Sequence, residues 1–301
     1  LGLVCRRALI YAMAALPLLP QEPVFKVDVK LVRMLATVKN AQGQLVGGLS
    51  REDFTISDNG VPQEVALFER QTAQPLSVAL LVDRSRSTQR EKPYELEAVR
   101  RFVRALFREG NPEDAAALYS FNFEVVLQAN YSHRPNRIDD ALSRLKSEGA
   151  TALYDAIYLS SRDLESRGGR RVVVVVSDGA DTYSKVDFQK ALEGLHRANA
   201  VLYAVLIVPV ANDAGRNLRG ENALITLTQW TGGKIFFPAL GASIDDAFAD
   251  ILRDLRTQYL IGYYPKNVPP SRERFHRVQL AVDKPGHSVS ARNGYFADAL
   301  P

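Results

Sequence analysis

The sequence predicts an α/β protein: a doubly wound, mostly parallel sheet inserted into a β-sandwich that the two ends of the chain build together. Three observations carry this reading. The run RVVVVVSDG at 171–179 holds five consecutive valines, the mark of a central parallel strand covered on both faces. Across 75–256 such apolar runs alternate with stretches of helical period. On either side of that block the rhythm drops to period two and is broken by Pro, Gly and Asn.

Segment 1–22 stands apart. Arg6 and Arg7 precede ALIYAMAALPLLP, 13 residues ending at Pro20. That is short of the roughly 20 residues of a membrane span, and it has the basic start and short apolar middle of a secretory signal. It is read as a signal peptide or N-terminal anchor, with no membrane insertion of the mature domain. The protein is expected to be exported: periplasmic, cell-surface or secreted. The single cysteine, Cys5, precedes the apolar segment. No disulfide framework or cysteine zinc site can form, and a mature chain without cysteine suits an oxidising compartment.

Residues 23–74 are assigned to the N-terminal part of the sandwich. FKVDVKLV (25–32) alternates apolar and charged residues, and MLATV, DFTI and EVALFE follow as short strands. Asn59-Gly60 is the dipeptide that fits a tight hairpin. In 75–256, LSVALLV is a buried strand, followed by a helix from about Pro93 with Leu96, Val99, Val103 and Leu106 on one face. AAALYSF and EVVLQA are two close strands, and helices follow at IDDALSRL and near TALYDAI. Beyond the valine strand come the helix FQKALEGLHRA and the buried strand VLYAVLIV. ALITLTQW, KIFF and SIDDAFADILRDLR complete the alternation. Residues 257–301 add QYLIGYY, HRVQLAV and HSVSAR. Three strands cannot enclose a core alone. Pooled with the four at the N-terminal end they make seven, the count of an Ig-like β-sandwich.

Composition narrows the function. Apolar residues at 46% and charged residues at 24% describe an ordinary folded protein. The net charge of +4 is scattered, with no Lys/Arg block, so no nucleic acid partner is expected. The four histidines are widely spaced, which argues against soft-metal chemistry.

The two buried strands carry the chemistry at their ends. LLV exits into Asp83-Arg84-Ser85-Arg86-Ser87, and the valine run exits into Asp178-Gly179-Ala180-Asp181. Open α/β sheets bind ligands beyond the carboxyl ends of their strands. If the two strands are neighbours, both carboxylates converge there. Thr151, after a Gly-Ala turn, opens a helix and offers a third oxygen. In an extended backbone, positions 83, 85 and 87 share one side and the arginines at 84 and 86 the other. Two Asp, two Ser and one Thr meet the demand of Mg²⁺ for hard oxygen ligands. Asp181 is read either as standing behind these ligands or as capping the helix that follows. Asp155 is assigned to its helix or to a neighbouring loop, and SRGGRR (166–171) to a solvated loop.

These motifs, D-x-S-x-S at Asp83-Ser85-Ser87, GATALYDAI with Thr151 and VSDGADT with Asp178, resemble the metal ion-dependent adhesion site of the von Willebrand factor type A domain. The flanks GLSREDFTISDNGVPQEV, LRTQYLIGYYP and ARNGYFA are similar to the bacterial VWFA-related, acidobacterial-type subgroup. The resemblance implies a Rossmann-type sheet and a Mg²⁺ (or Mn²⁺) site. Ser85, Ser87 and Thr151 would be direct ligands, and Asp83 and Asp178 would act directly or through water. A partner protein would supply a carboxylate, and the module would bind rather than catalyse. Arg86 departs from the family, which commonly has Gly there. The alternatives are a Mg²⁺-dependent phosphoryl-transfer or hydrolytic enzyme using Asp83, although no lysine is positioned to clamp a phosphate, or a structural domain with a vestigial site.

Overall fold

The computed structural model describes residues 30–70, 73–85, 92–146, 149–207, 217–238, 242–269 and 274–299. Segment 1–22, most of the strand expected at 25–32, and Arg86 and Ser87 lie outside the described residues.

The α/β core is one six-stranded sheet. Its strands are β5 (Leu76–Asp83), β6 (Ala115–Phe121), β7 (Val125–Ser132), β8 (Arg170–Ser177), β9 (Ala200–Leu206) and β10 (Ile235–Phe236). They lie in the order β10-β9-β8-β5-β6-β7, parallel except for the β6–β7 pair. Helices α1 (Lys92–Glu109), α2 (Pro135–Leu142) and α6 (Ala242–Thr257) cover one face. There Val78, Leu80, Val172 and Val174 pack against Val99, Phe102, Ile138 and Phe248. Helices α3 (Leu153–Leu164), α4 (Phe188–Arg197) and α5 (Leu218–Thr231) cover the other. Leu81, Val173 and Val175 meet Ile157, Leu195 and Leu227 on that side. Every residue of β5 is buried, the reason its sequence runs apolar without alternation.

The remaining strands are β1 (Val32–Lys39), β2 (Phe54–Asp58), β3 (Val61–Gln63), β4 (Leu67–Glu69), β11 (Tyr259–Tyr263), β12 (Phe275–Val282), β13 (Ser288–Ala291) and β14 (Gly294–Phe296). They form two antiparallel four-stranded sheets, β13-β1-β11-β4 and β14-β12-β2-β3. Each sheet mixes strands from both ends of the chain. The sheets share one core, with Val32, Met34, Phe54, Ile56, Tyr259 and Val278 among its members. The expected sandwich is present, with eight strands among the described residues: six of the seven expected ones, EVALFE reduced to Leu67–Glu69, together with Val61–Gln63 and Gly294–Phe296, which were not expected. Gly294–Phe296 is too short to show a period.

Asn59 and Gly60 adopt φ of 47° and 81°, as the two-residue turn between β2 and β3 requires. The insertion has a simple geometric basis. Strand β4, which leads into the α/β core, and β11, which leaves it, are hydrogen-bonded neighbours, with Phe68 opposite Ile261. At the centre of the sandwich the buried carboxylate of Asp58 accepts from the hydroxyls of Tyr263 and Tyr295 at 2.8 Å each and faces His276 Nδ1 at 3.1 Å. Among the described residues no helix is long and apolar enough to cross a membrane.

Candidate functional site

Strand order reverses between β8 and β5, the switch point at which open α/β sheets form a crevice. Asp83 ends β5, and the parallel register that sets Val82 opposite Val176 brings Ser177 level with it. Ser177 Oγ donates to Asp83 Oδ2 at 2.6 Å, and the Ser85 amide donates to Asp83 Oδ1 at 2.7 Å. Asp83 is wholly buried and Ser85 nearly so. Burial pushes the Asp83 carboxyl above the usual carboxylate range against both hydrogen bonds, and the nearby charge of Asp178 adds to the rise.

A chain of backbone contacts draws the other loops to this crest. Phe121 O accepts from the Arg84 amide at 2.8 Å, and Asn122 O accepts from the Ala152 amide at 2.6 Å. Thr151 O accepts from the amides of Thr182 at 2.8 Å and Tyr183 at 3.0 Å, while Thr182 Oγ1 accepts from the Thr151 amide at 3.0 Å. The loops carrying Asp83 and Ser85, Thr151, and Asp178 are therefore joined across the end of the sheet. Ser87 lies outside the described residues. On the Asp178 loop, Gly179 has φ +81°, and its carbonyl lies 1.7 Å from where a Cβ on Gly220 would stand. Only glycine at 220 lets this loop seat on the start of α5.

Thr151 is buried, yet its hydroxyl makes no hydrogen bond among the described residues. Asp178 Oδ1 accepts from the Ala180 amide at 2.9 Å, and Oδ2 makes no hydrogen bond among the described residues. Among the described residues no cluster of three or more His, Cys, Asp or Glu forms a metal cage. A cation here would depend on two carboxylates and hydroxyls. This all-oxygen set, with uncommitted oxygens on Thr151 and Asp178, fits a hard divalent ion better than a soft one.

Neighbouring residues take roles of their own. Asp181 Oδ1 accepts from the amides of Leu153 at 2.8 Å and Tyr154 at 3.3 Å and from Ser184 Oγ at 2.5 Å. It thus caps α3, which precedes it in sequence, and not the helix that follows. Asp187 caps α4 instead, through the Lys190 amide at 2.8 Å. Asp155 binds the neighbouring loop, accepting from the amides of Lys185 and Val186. Arg84 donates from Nε to Lys146 O at 2.6 Å, so it ties the first loop to the segment leading to Thr151. Lys92 Nζ donates to the Asp83 carbonyl and to Glu95 Oε2, the latter at 2.8 Å. Its charge is matched by Glu95, which is buried beside it.

Ser177 is the residue that sequence reading passed over. Its only signal is register: two adjacent parallel strands aligned by their apolar runs place it opposite Asp83. Phe123 and Tyr183 stand beside Thr151, 46% and 53% exposed and in edge-to-face contact at 6.5 Å. Exposed aromatic pairs of this kind are common anchors for a protein partner. None of the four histidines lies at the crest: His133 bonds Asp114 O, His196 bonds Trp230 O, His276 faces Asp58 and His287 bonds Pro285 O.

The von Willebrand factor type A domain family model matches residues 78–180. Among the curated proteins no sequence matches this chain. Several solved structures are similar. The vWF domain of the type V pili tip protein Mfa5 from Porphyromonas gingivalis shares 11% identity, covering 60% of this chain and 95% of that one, with a TM-score of 0.50. An aerotolerance-related membrane protein from Bacteroides fragilis shares 17% identity over 60% of this chain and 98% of its own, with a TM-score of 0.47. A von Willebrand factor type A protein from Catenulispora acidiphila shares 11% identity over 91% of this chain and 76% of its own, with a TM-score of 0.48.

Proposed function

We propose, from the premise that residues 78–180 belong to a von Willebrand factor type A domain, that this protein is a non-enzymatic module that binds other proteins through a divalent cation. The observation that supports this is the joining of three loops at the switch point, where the Thr151 hydroxyl and Asp178 Oδ2 make no hydrogen bond among the described residues and the buried Asp83 feels the charge of Asp178. Asp83, Ser85, Ser87, Thr151 and Asp178 are the residues that would hold Mg²⁺ or Mn²⁺. The cation would leave a coordination position for a carboxylate of the partner. Ser177 and the Ser85 amide orient Asp83, and Asp181 holds the start of α3 so that Thr151 faces the crest. Phe123 and Tyr183 supply apolar contact area next to the cation. The pilus-tip relative and the apolar segment before Pro20 support a setting at the cell surface or outside the cell.

Isothermal titration of the full chain with Mn²⁺ and Mg²⁺ tests the cation. Saturable binding is expected, weakened about tenfold or more by Thr151→Ala or Asp178→Ala. No heat at millimolar metal in a folded sample would leave a vestigial site. Partner capture should be lost with EDTA and with Asp178→Ala, and equal retention in all three conditions would end the adhesion reading. Turnover of a generic phosphate ester that needs Mg²⁺ and vanishes in Asp83→Asn would instead make this an enzyme.

A further inference from the structure

At the opposite end of the sheet from Asp83, where the α/β core meets the sandwich, a cavity of about 240 Å³ is lined by Arg33, Arg170, Arg171, His196, Arg197 and Arg292, with no acidic side chain in its wall among the described residues. We propose that this cavity binds a small tetrahedral oxyanion of the phosphate class.

Charge bookkeeping supports it. Arg197 is paired with Glu193 and Asp298. Arg170 donates to the carbonyls of Gln74 and Leu255, and Arg171 to those of Arg167 and Ala198, bonds that fix the side chains without cancelling charge. Neither Arg33 nor Arg292 has a carboxylate partner among the described residues. Arg292 is the sharpest case. It is 6% exposed, and its Nε and Nη2 donate to no acceptor among the described residues. Burial pulls its pKa down to about 10, so it still carries its charge at neutral pH. A buried cation without a counter-charge is costly, and an anion in the adjoining cavity would offset that cost.

The ligand class follows from the donors. Guanidinium groups favour oxyanions, which they meet through paired N–H groups. Arg33 and Arg292, with no carboxylate beside either among the described residues, call for more than one negative charge, which a phosphate dianion supplies and a monocarboxylate does not. The arginines of the wall come from β1, the start of β8, the end of α4 and the residue after β13. A bound anion would therefore link the sandwich to the inserted core.

The test is titration of the full chain with inorganic phosphate at constant ionic strength, followed by heat and by thermal unfolding. Glycerol 3-phosphate and acetate serve as further arms. Saturable phosphate binding with a rise in Tm is expected, and acetate should give neither. Equal binding of the ester assigns a phosphate monoester as ligand, and its exclusion assigns inorganic phosphate. Arg33→Gln, at an exposed position that does not threaten folding, should weaken phosphate about threefold or more, and Arg292→Met about tenfold. Arg292→Met should also raise Tm in phosphate-free buffer. Mn²⁺ binding should be unchanged in both variants. The proposal is overturned by no saturable heat up to about 10 mM phosphate, or by unchanged affinity in Arg33→Gln.

Discussion

Ser177→Ala tests whether the crest is assembled as described. The substitution removes one oxygen and leaves the β8 backbone and its packing in place. Two interactions go with it: the 2.6 Å bond from Ser177 Oγ to Asp83 Oδ2, and the acceptance of the Gly179 amide by the same oxygen at 3.1 Å. A hydrogen bond to a charged group contributes about 1.5–3 kcal/mol and a neutral one about 1 kcal/mol. All three residues are shielded from water, so solvent cannot substitute. The expected loss is about 2–4 kcal/mol, or roughly 3–6 °C in Tm for a chain of this size. Urea denaturation followed by far-UV circular dichroism measures it. In an Asp83→Ala background the same substitution should cost about 1 kcal/mol, because only the Gly179 bond remains to be lost. Mn²⁺ affinity should fall in Ser177→Ala as well, since the carboxylate loses the contact that orients it. A Ser177→Ala protein within about 0.5 kcal/mol of the parent, with unchanged cation affinity, would refute the arrangement.

Asp58→Ala strands two buried tyrosine hydroxyls and His276 in the sandwich core. A loss of about 3–5 kcal/mol in chemical denaturation is expected; Asp58→Asn, which keeps an acceptor for the tyrosines, should lose about half of that. Asp181→Ala uncaps α3 and should cost about 1 kcal/mol while weakening Mn²⁺ through a looser Thr151. His196 gives a pH signature. Burial holds its imidazole down at about 4, and the charge of Arg292 acts in the same direction, against the bond to Trp230 O. Between pH 6.5 and 4 the unfolded chain takes up a proton that the folded chain refuses. Stability from this group is thus present above about 6.5 and falls by about 3 kcal/mol as pH drops to 4. His196→Phe should flatten that part of the stability–pH curve; an identical slope in both proteins would show that the titrating group lies elsewhere.

The central strands were legible because burial on both faces leaves an unbroken apolar run, as in β5 and β8. The hairpin at Asn59-Gly60 was legible because the backbone there demands residues tolerant of positive φ. Strands β3 and β14 were not: three residues each leave no period to read. Asp181 misled for a related reason. A capping carboxylate is recognised by its place just before a helix, and this one reaches a helix that begins 28 residues earlier.

What the residues by themselves determined was local: which segments are strands or helices, and which oxygens stand at strand ends. Packing alone decided that β8 lies beside β5, that Ser177 meets Asp83 across 94 positions, and that Arg292 is buried against the α/β core with no carboxylate to meet it among the described residues. Periodicity records which face of an element leaves water. It holds no record of which other element covers that face, because the same apolar stripe is satisfied by many partners and only the whole chain's burial chooses among them.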